Sequence, residues 1–167
     1  GTAVTTGIQN TLIGGLAGDA LTDADYNVAV GYACLTGDTK GSRTVAIGYG
    51  ALSTQNFTTV TATYNVGIGF QAGNAVTTGV NNTLIGGLAG DSITTGGSNV
   101  ALGTSALQAN TTASNNTAVG YQAGYSNTTG TENVAIGANA LDANTTGSSN
   151  VAVGNGALQS SVTVNNN

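Results

Sequence analysis

The chain has no histidine, proline, methionine or tryptophan, a single cysteine, and only nine charged side chains, seven acidic and two basic. Each shortage removes a class of function. Without histidine there is no ordinary general base, so the abundant serines and threonines have nothing to activate them as nucleophiles. One cysteine cannot form an internal disulfide. Lys40 and Arg43 are the only cations against a net charge of −5, which excludes a conventional phosphate-backbone interface and hence nucleic acid as a partner. No run of ~18 apolar residues is present, so no transmembrane helix and no membrane insertion is expected. Charged residues make up 5% of the chain, far below the roughly 25% usual for a soluble domain. Low charge alone would suit disorder, but the hydrophobic 40% falls in fixed columns, which argues for an ordered stack.

Those columns come from an internal repeat. Nine segments share one pattern: a leading Asn, a β-branched residue, a small residue or Leu, a large aliphatic, and Gly. They run "NTLIG" from Asn10, "NVAVG" from Asn27, "TVAIG" from Thr44, "NVGIG" from Asn65, "NTLIG" from Asn82, "NVALG" from Asn99, "NTAVG" from Asn116, "NVAIG" from Asn133 and "NVAVG" from Asn150. The step is 17 residues throughout, except for 21 between Thr44 and Asn65, where "STQNFTTVTATY" carries four extra residues. Short period-two alternation, β-branched residues and frequent Gly indicate strands of three to five residues, and no helical stripe is present. A 17-residue unit suits one turn of a β-solenoid. The expected fold is all-β, a parallel solenoid of about nine coils in one domain over residues 1–167. At ~4.8 Å per strand it forms a rod on the order of 43 Å long.

Each column then receives a physical role. The large aliphatic column (Ile13, Val30, Ile47, Ile68, Ile85, Leu102, Val119, Ile136, Val153) never turns polar and is expected to point into the coil. The Gly that follows never varies, as a positive-φ turn or a close backbone approach would require. The leading Asn10, Asn27, Asn65, Asn82, Asn99, Asn116, Asn133 and Asn150 are expected to stack as an amide ladder, broken only by Thr44. The middle position of the strand is also apolar (Leu12, Ala29, Ala46, Gly67, Leu84, Ala101, Ala118, Ala135, Ala152). Apolar residues on both faces mean burial on both faces. The second face is therefore expected to meet another copy of the chain. A volume swap fits that shared space: where the middle residue is Leu, the invariant Gly is followed by Gly15 or Gly87, and elsewhere by aromatics such as Tyr32, Tyr49, Phe70 and Tyr121.

The stretch "NTAVGYQAGYSNTTGTENVAIG" (residues 116–137) resembles the head repeats of trimeric autotransporter adhesins, whose signature is Asn-Ser-Val-Ala-Ile-Gly. It also resembles the related repeats of bacteriophage tail fibres and large extracellular bacterial fibre proteins. The resemblance covers essentially the whole chain. It implies a left-handed parallel β-roll, a side-by-side homotrimer, a position at the cell surface or on a virion, and a fibre-forming or adhesive role. The adhesin-head unit is typically shorter than 17 residues and carries Ser where this chain has an Ala column (Ala17, Ala51, Ala72, Ala89, Ala106, Ala123, Ala140, Ala157).

Few residues offer chemistry. No enzyme activity and no cofactor is expected. Asp19, Asp23 and Asp25 in "DALTDADYN" form a weak Ca²⁺ candidate, but a solvated acidic turn is the simpler reading because no other coil repeats them. Cys34 replaces Ala in its column and reads as a buried, inert residue. Six Asn-x-Ser/Thr sequons, at Asn56, Asn81, Asn110, Asn115, Asn127 and Asn144, are glycosylation candidates, although Asn, Thr and Gly also favour turns. Tyr32, Tyr49, Phe70 and Tyr121 are candidates for stacking on cell-surface glycans, or else for piling on one another. The expected function is a rigid adhesive or structural fibre segment. The alternative, an ice-binding solenoid, rests on the Thr77, Thr94, Thr111, Thr128 and Thr145 column, but adjacent Thr pairs diverge on an extended strand. Neither end of the sequence carries a recognisable cap, so an internal slice of a longer fibre, with end-to-end stacking of copies, is expected.

Overall fold

The computed structural model describes all 167 residues and is all-β, with no helix. Nine three-residue strands form one sheet. They are β1 (Thr11–Ile13), β2 (Val28–Val30), β4 (Val45–Ile47), β6 (Val66–Ile68), β7 (Thr83–Ile85), β8 (Val100–Leu102), β9 (Thr117–Val119), β10 (Val134–Ile136) and β11 (Val151–Val153). Every pairing is parallel and keeps the repeat register, as in Val134↔Val151, Ala135↔Ala152 and Ile136↔Val153. The chain is a parallel β-solenoid: each repeat makes one turn and lays its strand against the last.

The strands are short because each is bounded by a sharp corner. The residue before the leading Asn takes a left-handed conformation (φ 61° at Tyr26, 59° at Glu132), and the invariant Gly after the strand has φ near 130°. A Cβ on that Gly would also collide with the next turn. At Gly120 it would lie 2.7 Å from the carbonyl carbon and oxygen of Gly137. Positive φ and close backbone approach therefore act together to fix Gly in this column. Of 101 backbone hydrogen bonds only 17 lie within the strands, and most of the rest join equivalent parts of adjacent turns. The Gln122 amide donates back to Thr104 (3.0 Å), while the Gly124 amide donates forward to Ala140 (2.9 Å). The stack is thus tied around its whole perimeter.

The 21-residue step is absorbed away from the main sheet. Its extra residues form β5 (Thr61–Ala62), which pairs in parallel with β3 (Gly41–Ser42), and an exposed stretch over Thr58, Thr59 and Val60. The register from β4 to β6 is unbroken, with Val45↔Val66 and Ile47↔Ile68.

The interior corrects the face assignment made from sequence. The middle column lines the core: Ala29, Ala46, Leu84, Ala101 and Ala118 are completely buried. The large aliphatic column points outward, with Leu102 46% and Ile136 40% exposed. Alternation shows that a strand has two faces, but with both apolar it cannot tell which one faces the lumen. Available volume decides. The lumen is narrow, lined by the middle column and by the second Ala column, in which Cys34 also lies, and it admits few larger side chains per turn. These alternate between two sites. Leu12 and Leu84 stand opposite Gly18 and Gly90, whereas Ala29, Ala46, Ala101, Ala135 and Ala152 stand opposite Leu35, Leu52, Leu107, Leu141 and Leu158. A Cβ on Gly18 would meet Leu12, and one on Gly90 would meet Leu84 at 2.7 Å. Where both sites are small, neighbours fill the space: Leu52 and Leu84 reach over Gly73, and Leu107 over Gly124. The volume swap therefore lies six residues beyond the middle position, inside one chain, and not at the outer residue after Gly. Close packing at constant volume explains it.

Candidate functional site

The leading Asn residues are a structural spine. All except Asn10 are buried, and each side chain bridges two turns. Asn99 is typical: its Oδ1 accepts from the Asn116 backbone N–H (3.0 Å), and its Nδ2 donates to the Ala113 carbonyl (2.9 Å). Amide-to-amide bonds are exceptions, at Asn99–Asn82 (3.2 Å) and Asn150–Asn133 (3.0 Å). The ladder therefore runs mainly from side chain to backbone, which satisfies corner groups that no strand can pair.

At Thr44, where the spine breaks, the structure substitutes a buried polar cluster that sequence reading did not identify. Asp38 and Gln55 occupy an interior column that elsewhere holds Leu21, Val76 and Ile93. The Asp38 carboxylate accepts from the backbone N–H groups of Gly41 and Phe57 (both 3.0 Å) and from Gln55 Nε2 (2.6 Å). Gln55 Nε2 also reaches Thr44 Oγ1 (3.0 Å), and its Oε1 accepts from Asn65 Nδ2 (2.8 Å). Thr63, which the long step brings in, contacts Thr44 Oγ1 (2.7 Å) and accepts from the Asn65 N–H (3.3 Å). The inserted residues thus replace the bonds that the missing Asn would make.

Farther along, the same interior column becomes Asn110, Asn127 and Asn144, all buried. Asn127 Nδ2 donates to the Gly130 carbonyl (2.8 Å), and Asn144 Nδ2 to that of Gly147 (2.9 Å). Asn110 begins this polar run, and its Oδ1 is the one buried side-chain nitrogen or oxygen without a hydrogen-bond partner. The amides of these three glycosylation candidates lie inside the folded coil. Asn56, Asn81 and Asn115 are exposed. The "Asn-Thr-Thr-Gly" turn hides its Asn because that side chain bonds the backbone three residues on.

The three aspartates of "DALTDADYN" do not converge. Asp19 accepts from Thr36 Oγ1 (2.5 Å), Asp23 from Thr6 Oγ1 (2.7 Å) and Asp25 from the Ile8 N–H (2.8 Å), and no group of three potential metal ligands exists anywhere in the chain. Each carboxylate serves as a separate tie between turns. The column of Thr77, Thr94, Thr111, Thr128 and Thr145 does likewise: Thr77 Oγ1 donates to the Thr94 carbonyl (3.2 Å), and Thr128 Oγ1 to that of Thr145 (2.9 Å). Cys34 is buried, its Sγ donating to the Gly31 carbonyl (3.2 Å), and burial pushes its thiol pKa upward against a smaller opposing effect of its own backbone N–H. Burial likewise raises the pKa of Asp91.

The outer surface is more distinctive. Two columns of the sheet face outward, the large aliphatic one and the residue that opens each strand (Val28, Val45, Val66, Val100, Val134 and Val151, with Thr11, Thr83 and Thr117). Beside them Tyr32, Tyr49 and Phe70 pile face to face, with centroids 5.6 and 5.5 Å apart and interplanar angles of 17° and 13°. Tyr121 lies in the same column beyond Gly87 and Thr104. On the opposite border the Arg43 guanidinium lies 5.2 Å from the Tyr26 ring centroid and 6.0 Å from that of Tyr64. That sandwich was legible in principle, since the three residues share one repeat position, but it requires the turns to be stacked in space. No family model matches the chain, and no curated protein or solved structure is significantly similar to it.

Proposed function

We propose that this chain is a rigid segment of an extracellular structural and adhesive fibre, in which copies stand side by side as a homotrimer. The observation that carries this reading is the outward sheet face. Over nine strands it presents one wholly aliphatic column and a second of six valines and three threonines, with no charge, and Leu102, Ile136, Val151 and Val153 are among its exposed residues. Eight strand steps of ~4.8 Å give a strip roughly 38 Å long, and two columns of side chains make it on the order of 500 Å². A continuous apolar patch of that size marks an interaction surface on a soluble protein. The strip runs along the rod, so its natural complement is a second rod of the same repeat. The adhesin and fibre resemblance of the repeat supplies the trimer and the extracellular setting.

Light scattering on the purified chain tests this. A mass of three chains is expected, against 16.1 kDa for one. Ile47→Glu, which adds charge to the outer face without entering the lumen, should yield folded single chains. Ala118→Glu should instead destroy the fold, because that position is inside. A monodisperse single chain from the unmodified protein, at high concentration, would overturn the lateral-association reading.

A further inference from the structure

The adhesive half of the proposed function rests on exposed aromatic rings, and their geometry restricts where a ligand can sit. Tyr32, Tyr49 and Phe70 are stacked along the rod, so each inner face is covered by its neighbour. Only the two end faces of the pile remain. At one end Gly15 lies beside Tyr32, and a Cβ built on it would lie 3.3 Å from the ring. At the other end Phe70, 54% exposed, is followed in its column by Gly87, whose Cβ would meet nothing within 4 Å. The next residue in the column is Thr104, exposed, and then Tyr121. The aromatic column is therefore interrupted over two turns, and at Gly87 there is no side chain at all.

We infer that this gap over Gly87 is a subsite for one pyranose ring of a glycan. The spacing fits, because the rings repeat every 5.5–5.6 Å, and Phe70 and Thr104 stand two turns apart with the one empty position, Gly87, between them. The chemistry fits as well. One wall is the open face of an aromatic ring, which attracts polarised C–H groups, and the other carries a hydroxyl that donates and accepts. The rim is open to water. A ligand filling such a slot needs a C–H-rich face, an opposite face bearing hydroxyls, and a polar edge. A pyranose has all three. Gly87 keeps the slot open by lacking a side chain. Its φ lies outside the left-handed region, so the backbone does not demand glycine there, and Tyr occupies the same column at Tyr32, Tyr49 and Tyr121.

The test uses an array of immobilised neutral oligosaccharides ending in glucose, galactose or their N-acetylamino forms, probed with the whole chain and three variants. Circular dichroism confirms that each is folded. The unmodified chain is expected to bind at least one of them. Gly87→Tyr, which fills the gap, and Phe70→Ala, which removes the platform, should each weaken binding by about tenfold or more. Ala138→Tyr adds the same ring beyond Tyr121 and should leave binding unchanged. If the chain binds and Gly87→Tyr binds equally well, the subsite is refuted while the adhesive reading survives. Silence across the array refutes both and leaves the rod reading to light scattering. Loss of lateral association in Gly87→Tyr would show that the slot receives a side chain from a neighbouring copy, which also overturns the glycan assignment.

Discussion

Replacing Leu84 and, separately, Leu102 with alanine puts the inside–outside assignment to a controlled test. Both substitutions remove the same three carbons from neighbouring strands. Leu84 is completely buried at the middle of β7, and Leu102 at the end of β8 is 46% exposed. At ~0.8 kcal/mol per buried methylene-sized group, Leu84 loses about 2.4 kcal/mol of transfer free energy. A cavity term adds to this. The Leu84 side chain fills the space over Gly73 and Gly90, where a built Cβ would lie 2.6 and 2.7 Å from it. Neither glycine has a side chain with which to close the hole, so the total should reach ~3–5 kcal/mol. Leu102 retains about half its exposure and leaves no enclosed cavity, so Leu102→Ala should cost roughly 1 kcal/mol in the dissociated chain. The assay is urea unfolding followed by circular dichroism, with midpoint and slope compared at low and high chain concentration. If the outer face is covered by another copy, the cost of Leu102→Ala should rise with concentration. Equal midpoints for the two variants in dilute solution, or a larger loss at Leu102, would refute the core described above.

Three further outcomes follow from single positions. Gly120→Ala must hold a side chain at φ 131° against the Gly137 carbonyl and should cost roughly 3 kcal/mol or more, seen as a large fall in unfolding temperature. Asp38→Ala strands the Gly41 and Phe57 N–H groups and the Gln55 amide, with an expected loss of about 3 kcal/mol or more by denaturation, whereas Asp38→Asn, which keeps one acceptor oxygen, should lose less. Cys34, with its thiol pKa raised by burial, should react with a thiol reagent only on unfolding. Its contribution to stability is complete below the ordinary thiol pKa and is lost as pH rises through the higher folded value, so unfolding midpoints of the native chain should fall in that alkaline window relative to Cys34→Ala.

The repeat by itself determined a great deal. A fixed 17-residue step, period-two alternation and an invariant Gly leave few architectures besides a parallel stack, because every copy must make the same bonds to the one before it. The Asn column was legible for the same reason, although its bonds run mainly from side chain to backbone and not from amide to amide. The aromatic pile at Tyr32, Tyr49 and Phe70 was legible as one of two alternatives. What the tertiary structure decided was which face is inside. Both faces of Val-Ala-Ile are apolar, so hydrophobicity is silent, and the choice falls to the volume of a narrow lumen that accepts Ala and a sparing complement of Leu. The same limit governs the buried polar groups. Asp38, Gln55, Asn110, Asn127 and Asn144 read as solvated turn residues in one dimension, since polarity alone predicts exposure. Once the corner folds them inward, they bond backbone groups that would otherwise be stranded, and a turn motif becomes part of the core.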